Sequence, residues 1–248
     1  MTRSLLTAAA LAALSTACGV PESDSIDLAS HGVDTWRGLS LHGDRLHLVA
    51  EGRGILELDL DGALVSERKV GEQGLLDAAY RDLAVVDAGS KYVLLADDQG
   101  WLYDPLAQTE TVHFCVLPGD IIGPALTQKN DAVSVNNETI LASPRFYDAS
   151  TESLVSSELR TYQLADGLPI SSVPLSQPLE LRGLAVSLDG VVGVSGDRVY
   201  RIDTDGTVRG ETAIANLGSA AGIAIDAERA FILDEENDRV SILPLSDL

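Results

Sequence analysis

One pattern of strands occurs twice in this chain, far apart and in the same order, and that self-similarity restricts the fold more than any other feature. Gly38-Leu39-Ser40-Leu41 is followed by Leu46-His47-Leu48-Val49-Ala50, then Ile55-Leu56-Glu57-Leu58-Asp59-Leu60-Asp61-Gly62, then Ala63-Leu64-Val65. Downstream, Gly183-Leu184-Ala185-Val186 is followed by Val191-Val192-Gly193-Val194, then Val199-Tyr200-Arg201-Ile202-Asp203-Thr204-Asp205-Gly206, then Thr207-Val208. Each stretch is four short β-type runs punctuated by Gly and Asp, which reads as one antiparallel four-stranded unit.

Weaker copies begin at Asp82, Asp131 and Gly222, so the first-strand anchors Gly38, Asp82, Asp131, Gly183 and Gly222 stand about 40 to 50 residues apart. That is the period of propeller blades. No helical 3.6-residue period separates the strands, which excludes a doubly wound α/β fold. The third unit carries an insertion around Ala149 to Ser157, and the last unit stops after its third strand. Ser25-Ile26-Asp27-Leu28-Ala29 alternates in the right way to supply the missing outer strand and cover the open edge. The expected fold is an all-β propeller of four-stranded antiparallel blades, closed by an N-terminal strand. Five blades are expected, with six as the alternative if the third unit hides another.

The chain begins with Arg3, an apolar run from Leu5 to Leu14, and small residues Ser15-Thr16-Ala17 before Cys18. Roughly 10 apolar residues are too few to span a bilayer as a helix and read as an export signal. The stretch resembles a bacterial lipoprotein signal, which implies cleavage before Cys18 and acylation of that cysteine. The expected division is a signal peptide at 1–17, a lipidated tether at 18–24 and a single propeller domain at 25–248. The protein is then exported to the cell envelope and held on a membrane by lipid; since Ser15-x-Ala17 also serves an ordinary signal peptidase, a soluble periplasmic or secreted protein is the alternative. Cys115 lies in the apolar run Val112 to Leu117 and reads as an inert buried thiol. Under simple secretion a Cys18–Cys115 disulfide is the alternative.

Charge narrows the partners. Asp and Glu number 38 against 17 Lys and Arg, a net charge of −21. So acidic a surface is repelled by nucleic acid and anionic headgroups, so neither is an expected partner, and a monomer is expected.

Gly222-Ile223-Ala224-Ile225-Asp226 with Asp234-Glu235-Glu236-Asn237-Asp238-Arg239-Val240 resembles an NHL-type propeller repeat, and Gly183 to Gly206 is similar to that group or to the SMP-30 lactonases. Arg81-Asp82-Leu83-Ala84-Val85 before Tyr92 to Tyr103 resembles the SdiA-regulated and phytase-like exported propellers. These resemblances imply blades. Propellers host hydrolases, lectins and protein-binding scaffolds alike, so function has to come from a site.

Asp59-x-Asp61-Gly62 and Asp203-x-Asp205-Gly206 carry calcium-type carboxylates, yet Asp-Gly at the end of a third strand reads first as a hairpin turn, with calcium the alternative. Asp234 to Asp238 reads as a solvated hairpin loop. The four histidines His31, His42, His47 and His113 have no ligand spacing, and no G-x-S-x-G elbow occurs.

One recurrence points to a site. Arg37, Arg81 and Arg182 each precede the first-strand anchor, as Trp36-Arg37-Gly38, Tyr80-Arg81-Asp82 and Leu181-Arg182-Gly183. First strands line a propeller's axis, so the three arginines are expected to ring one mouth of the channel and receive a carboxylate or phosphate, with Trp36 and Tyr80 as flat walls. Asp82 and Asp131 are the candidate metal ligands there. The alternative is that the arginines pair with Asp34, Asp77, Asp82 or Glu180 to staple blades together. No resident cofactor is expected. Two functions stay open: a non-catalytic envelope lipoprotein binding a small anion, a glycan or a partner protein, or a metal-dependent hydrolase of phosphoesters or lactones on the same face.

Overall fold

A computed structural model describes residues 24–69, 80–86, 89–96, 99–115, 126–136 and 138–248. The N-terminal segment with Cys18, and Asp77, lie outside the described residues. Alternating apolar residues in short runs, broken by turns with Gly and Asp, give twenty strands and no α-helix among the described residues.

The first strand, β1 (Asp24–Asp27), stands alone before blade 1, which is built from β2 (Trp36–His42), β3 (Arg45–Ala50), β4 (Gly54–Asp59) and β5 (Leu64–Arg68). Blade 2 contains β6 (Asp82–Val86), β7 (Lys91–Ala96), β8 (Gln99–Asp104) and β9 (Thr109–Cys115). Blade 3 contains β10 (Leu126–Asn136), β11 (Thr139–Asp148), β12 (Leu154–Gln163) and β13 (Pro169–Pro174). Blade 4 contains β14 (Gly183–Ser187), β15 (Gly190–Ser195), β16 (Arg198–Ile202) and β17 (Val208–Ala213). Blade 5 is β18 (Ala220–Ile225), β19 (Arg229–Asp234) and β20 (Arg239–Pro244), completed by β1.

Every sheet has four antiparallel strands, a meander in blades 1 to 4, and β2, β6, β10, β14 and β18 touch one another in a closed cycle around the axis. This is a five-bladed propeller. The N-terminal strand closes the ring: β1 pairs with β20 from Asp24 opposite Ile242 to Asp27 opposite Arg239. Its Ile26 is buried, as is the following Leu28. The free edge that β20 would otherwise present is thereby covered.

Five apolar clusters fill the five gaps between blades. Between blades 5 and 1, for example, Phe231 and Leu233 meet Leu46, Leu48, Leu56 and Leu58. At the axis the backbones come so close that some anchors exclude a side chain. A Cβ on Gly183 would lie 2.6 Å from the Gly222 Cα, and one on Gly38 would lie 2.6 Å from the Asp82 Cα.

Two sequence expectations for blade 3 need correction. Ala149 to Ser157 is no separate insertion but the end of a long hairpin: residues 149–153 turn between β11 and β12, and β12 starts at Leu154, with Arg145 opposite Ser157 and Tyr147 opposite Leu154. The anchor is also one residue later than Asp131. Val133 pairs with Ala142 just as Leu83 pairs with Leu94 and Leu184 with Gly193, so Ala132 holds the anchor position and Asp131 the position of the arginines. The Asp-x-Asp-Gly motifs are turns: Asp59 Oδ1 accepts the N–H groups of Asp61 and Ala63 at 3.0 and 2.8 Å, and Gly62 takes φ 85°. Gly206 does the same at φ 84°, with the Thr207 N–H on Asp205.

Candidate functional site

The inner strands all start at the same mouth of the channel, so residues just before their anchors gather there. Arg37 of blade 1 and Arg182 of blade 4 flank blade 5, and in blade 5 the corresponding residue is the small Ala221. Glu235, in the turn between β19 and β20, occupies the gap. Its Oε1 accepts from Arg182 Nη1 at 2.5 Å and from the Ser219 hydroxyl at 3.1 Å, while Oε2 lies 3.4 Å from Arg37 Nη1. The arginines stay accessible, with 29% of the Arg37 side chain and 39% of Arg182 exposed. Arg37 also faces Glu51 at 3.7 Å. Arg81 is half-buried in blade 2, its main-chain N–H bonded to Leu95 O at 2.7 Å.

Glu235 is held in place from below. The neighbouring Asp234 is fully buried and accepts from the N–H groups of Gly218 and Ser219, from Asn237 Nδ2 at 2.8 Å and from Arg239. Burial works to raise its pKa, but these donors outweigh burial and hold the carboxyl below the ordinary carboxylate range. The reading of Asp234 to Asp238 as a merely solvated loop is therefore corrected: two of its acids organise the mouth.

On the opposite side of the mouth blade 3 rises as a wall, since β10 and β11 remain paired from Asn130–Pro144 out to Leu126–Asp148. Arg145 on this wall, almost fully buried, forms an ion pair with Asp131. Lys129 Nζ sits 4.9 Å from the centre of the Tyr147 ring, whose hydroxyl donates to Glu180 at 3.1 Å. Glu180 lies two residues before Arg182.

Asp82 and Asp131 do not fit a divalent cation. Asp82 is 1% exposed and uses its oxygens as a clasp, accepting the N–H groups of Leu39, Leu83 at 2.9 Å and Val133 at 2.7 Å, one from each of blades 1, 2 and 3. Burial drives its pKa well above the ordinary carboxylate value, despite those bonds. Asp131 is committed to Arg145, and no group of three or more His, Cys, Asp or Glu among the described residues is arranged to hold a metal ion. Trp36 and Tyr80 are corrected too: both are buried in blade cores and neither walls the mouth. Trp36 and Arg37 are neighbours in one strand, so their side chains leave on opposite faces.

Below the anchors the axial channel encloses about 140 Å³, lined by Leu39 to Leu41, Leu83 to Val85, Val133 to Asn136, Leu184 to Val186 and Ile223 to Ile225. Wider clefts lie elsewhere, about 820 Å³ between the far ends of blades 4 and 5 and about 800 Å³ between blades 2 and 3. In the first, Arg201 and Arg209 stand among carboxylates, with Arg209 bound to Asp203, and Asp226 is bound to Arg229. The mouth brings partly exposed arginines of two blades onto one carboxylate, so it is the better site. Of the three arginines singled out in the sequence, Arg37 and Arg182 meet on one carboxylate; sequence reading missed Glu235 and Arg145, and named Glu180 only as a partner for the arginines. The signal for Glu235 is a recurrence, since Glu51 and Glu235 each directly follow the second strand of their blade and both reach Arg37.

No protein-family model matches the chain. No curated protein matches it either. Among solved structures, a gluconolactonase from Xanthomonas campestris superposes with TM-score 0.55 at 18% identity, covering 84% of this chain and 71% of that one. A protein of unknown function from Bacteroides thetaiotaomicron gives TM-score 0.48 at 11% identity, over 90% of this chain and 72% of that one. Apo AztD from Citrobacter koseri gives 0.41 at 14% identity, over 77% and 50%. At these identities the likeness to the gluconolactonase is one of fold alone.

Proposed function

We propose that this protein is a non-catalytic binding propeller of the cell envelope, which receives an anionic group of its ligand at the arginine mouth. The observation that carries the reading is that Arg37 and Arg182, from blades 1 and 4, already meet on one carboxylate while remaining partly open to solvent. Arg37 and Arg182 share Glu235, and Arg37 faces Glu51 as a second acid, so the mouth sets two guanidinium groups against two resident carboxylates in a protein whose net charge is −21. Paired but partly exposed guanidinium groups of that kind can exchange a resident carboxylate for an incoming anion and hold it through charge-assisted hydrogen bonds. A glycan or protein ligand would engage the same mouth through an acidic group. The hydrolase alternative lacks support, because its two candidate metal ligands are otherwise engaged.

Titration calorimetry with citrate, gluconate and inorganic phosphate tests the reading. Binding in the wild type and its loss in the Arg37→Gln/Arg81→Gln/Arg182→Gln variant, with the β-rich circular dichroism kept, is the expected result. Unchanged binding in that variant overturns it. Acyl chains on Cys18 are the proposed anchor, and mass spectrometry of the mature N-terminus decides that point: an unmodified Cys18 means simple secretion.

A further inference from the structure

We infer that Glu235 is a resident competitor that the ligand displaces, and that the ligand's anchoring group is a carboxylate; this rests on the mouth being an anion site. The Glu235 head is planar and spends one oxygen on each side, Oε1 on Arg182 and Ser219, Oε2 on Arg37. An incoming carboxylate reproduces that arrangement atom for atom. Its exchange for Glu235 leaves the number of charge-assisted bonds unchanged, so the net gain comes from the rest of the ligand and from what the freed Glu235 side chain recovers in solvent.

The turn is built for such an exchange. Asp234 ties the turn to the main-chain N–H groups of Gly218 and Ser219 and to the Asn237 side chain, and the Glu235 N–H bonds to Ser219 O at 2.9 Å, so Glu235 leaves by rotation of its own side chain with the backbone fixed. Its contacts to Arg37 are the long one at 3.4 Å, and Arg37 keeps Glu51 as a second partner during the change. Blade 5 therefore carries a self-ligand for the clamp formed by its two neighbours. In physical terms the wild-type site is held partly shut, and apparent affinity is lowered by the fraction of molecules in which Glu235 is in place.

The experiment is titration of citrate and of inorganic phosphate into wild type, Glu235→Gln, Glu235→Gln/Arg182→Gln and Ser219→Ala at equal ionic strength. Glu235→Gln is expected to bind citrate at least tenfold tighter than wild type, Ser219→Ala to show a smaller gain, and the double variant to lose the gain. Thermal unfolding of each variant checks that the propeller is intact, and Ser219→Ala keeps the test alive should Glu235→Gln fold poorly. Equal or weaker citrate binding by a folded Glu235→Gln, with binding still lost on removing Arg182, overturns the gate and leaves the anion site standing. An equal gain for phosphate overturns the carboxylate assignment. No binding by wild type or Glu235→Gln overturns both readings.

Discussion

The Asp82 carboxylate accepts the main-chain N–H of Val133 at 2.7 Å, tying the inner strand of blade 2 to that of blade 3. The same side chain holds Leu39 of blade 1. In blades 1, 4 and 5 the anchor is glycine, and backbone meets backbone; at Asp82 a buried carboxylate does the joining.

Replacing Asp82 with Asn turns one acceptor oxygen into a donor facing an N–H, so a loss of about 1–3 kcal/mol is expected at acid pH. The cost should shrink as pH rises. Burial raises the folded pKa of Asp82 above its unfolded value of about 3.9, so the stability it contributes is fully present below that value and is lost as pH rises through the raised folded value. Asn does not titrate. Urea unfolding of both proteins at several pH values reads the difference, and a cost that grows with pH contradicts the assignment.

His47 gives the opposite slope. It is 3% exposed, its Nδ1 lies 3.2 Å from the Tyr92 hydroxyl, and burial lowers its pKa to about 4. The neutral ring therefore stabilises the fold fully above pH ~6.5, and that stability is lost as pH falls toward 4, amounting to about 3 kcal/mol. His47→Gln is expected to flatten this part of the pH–stability curve. Imidazole chemical shifts would measure the pKa directly, and a His47 titrating near 6.5 in the folded protein contradicts the prediction.

The blade count and the ring closure were legible because period-2 alternation and turn residues are local signals that repeat. Blade 3 was harder to read, since its anchor is Ala132, neither Gly nor acid, and its long strands look like an interruption when judged by length. The arginines were visible because a fixed offset from the anchor places them at one mouth. Their partner was hidden because Glu235 sits among five consecutive polar residues that any solvated turn would accept. Only the meeting of blades 1, 4 and 5 distinguishes it. Trp36 and Tyr80 were misplaced by counting sequence neighbours as spatial neighbours.

Ring closure depends on a short segment. Leu28 is fully buried against the blade 5 and blade 1 core, and its N–H bonds to Asp238 O at 2.8 Å. Leu28→Ala is expected to cost about 3 kcal/mol. Loosening β1 also uncovers the edge of β20, so the variant should form concentration-dependent oligomers on size-exclusion chromatography near its unfolding temperature. A variant that melts early yet stays monomeric would place the closure elsewhere.

Two glycines separate close packing at the axis from mere glycine content. Gly38 has φ 51°, and a Cβ there would lie 2.4 Å from Asp82 Oδ1 and 2.6 Å from its Cα. Gly210, in the outermost strand β17, has open space around the same position. Gly38→Ala therefore meets both backbone strain and a clash that only a shift of blade 2 relieves, for a loss of about 3 kcal/mol. Gly210→Ala replaces a flexible residue in a strand without any clash and should gain about 0.5–1 kcal/mol. Because Asp82 is the atom group struck, Gly38→Ala should also reduce hydrogen-exchange protection of the Val133 and Leu83 amides, which Asp82 accepts, before the outer strands are affected. Equal behaviour of the two variants would mean that the inner strands are not held at backbone contact around the axis.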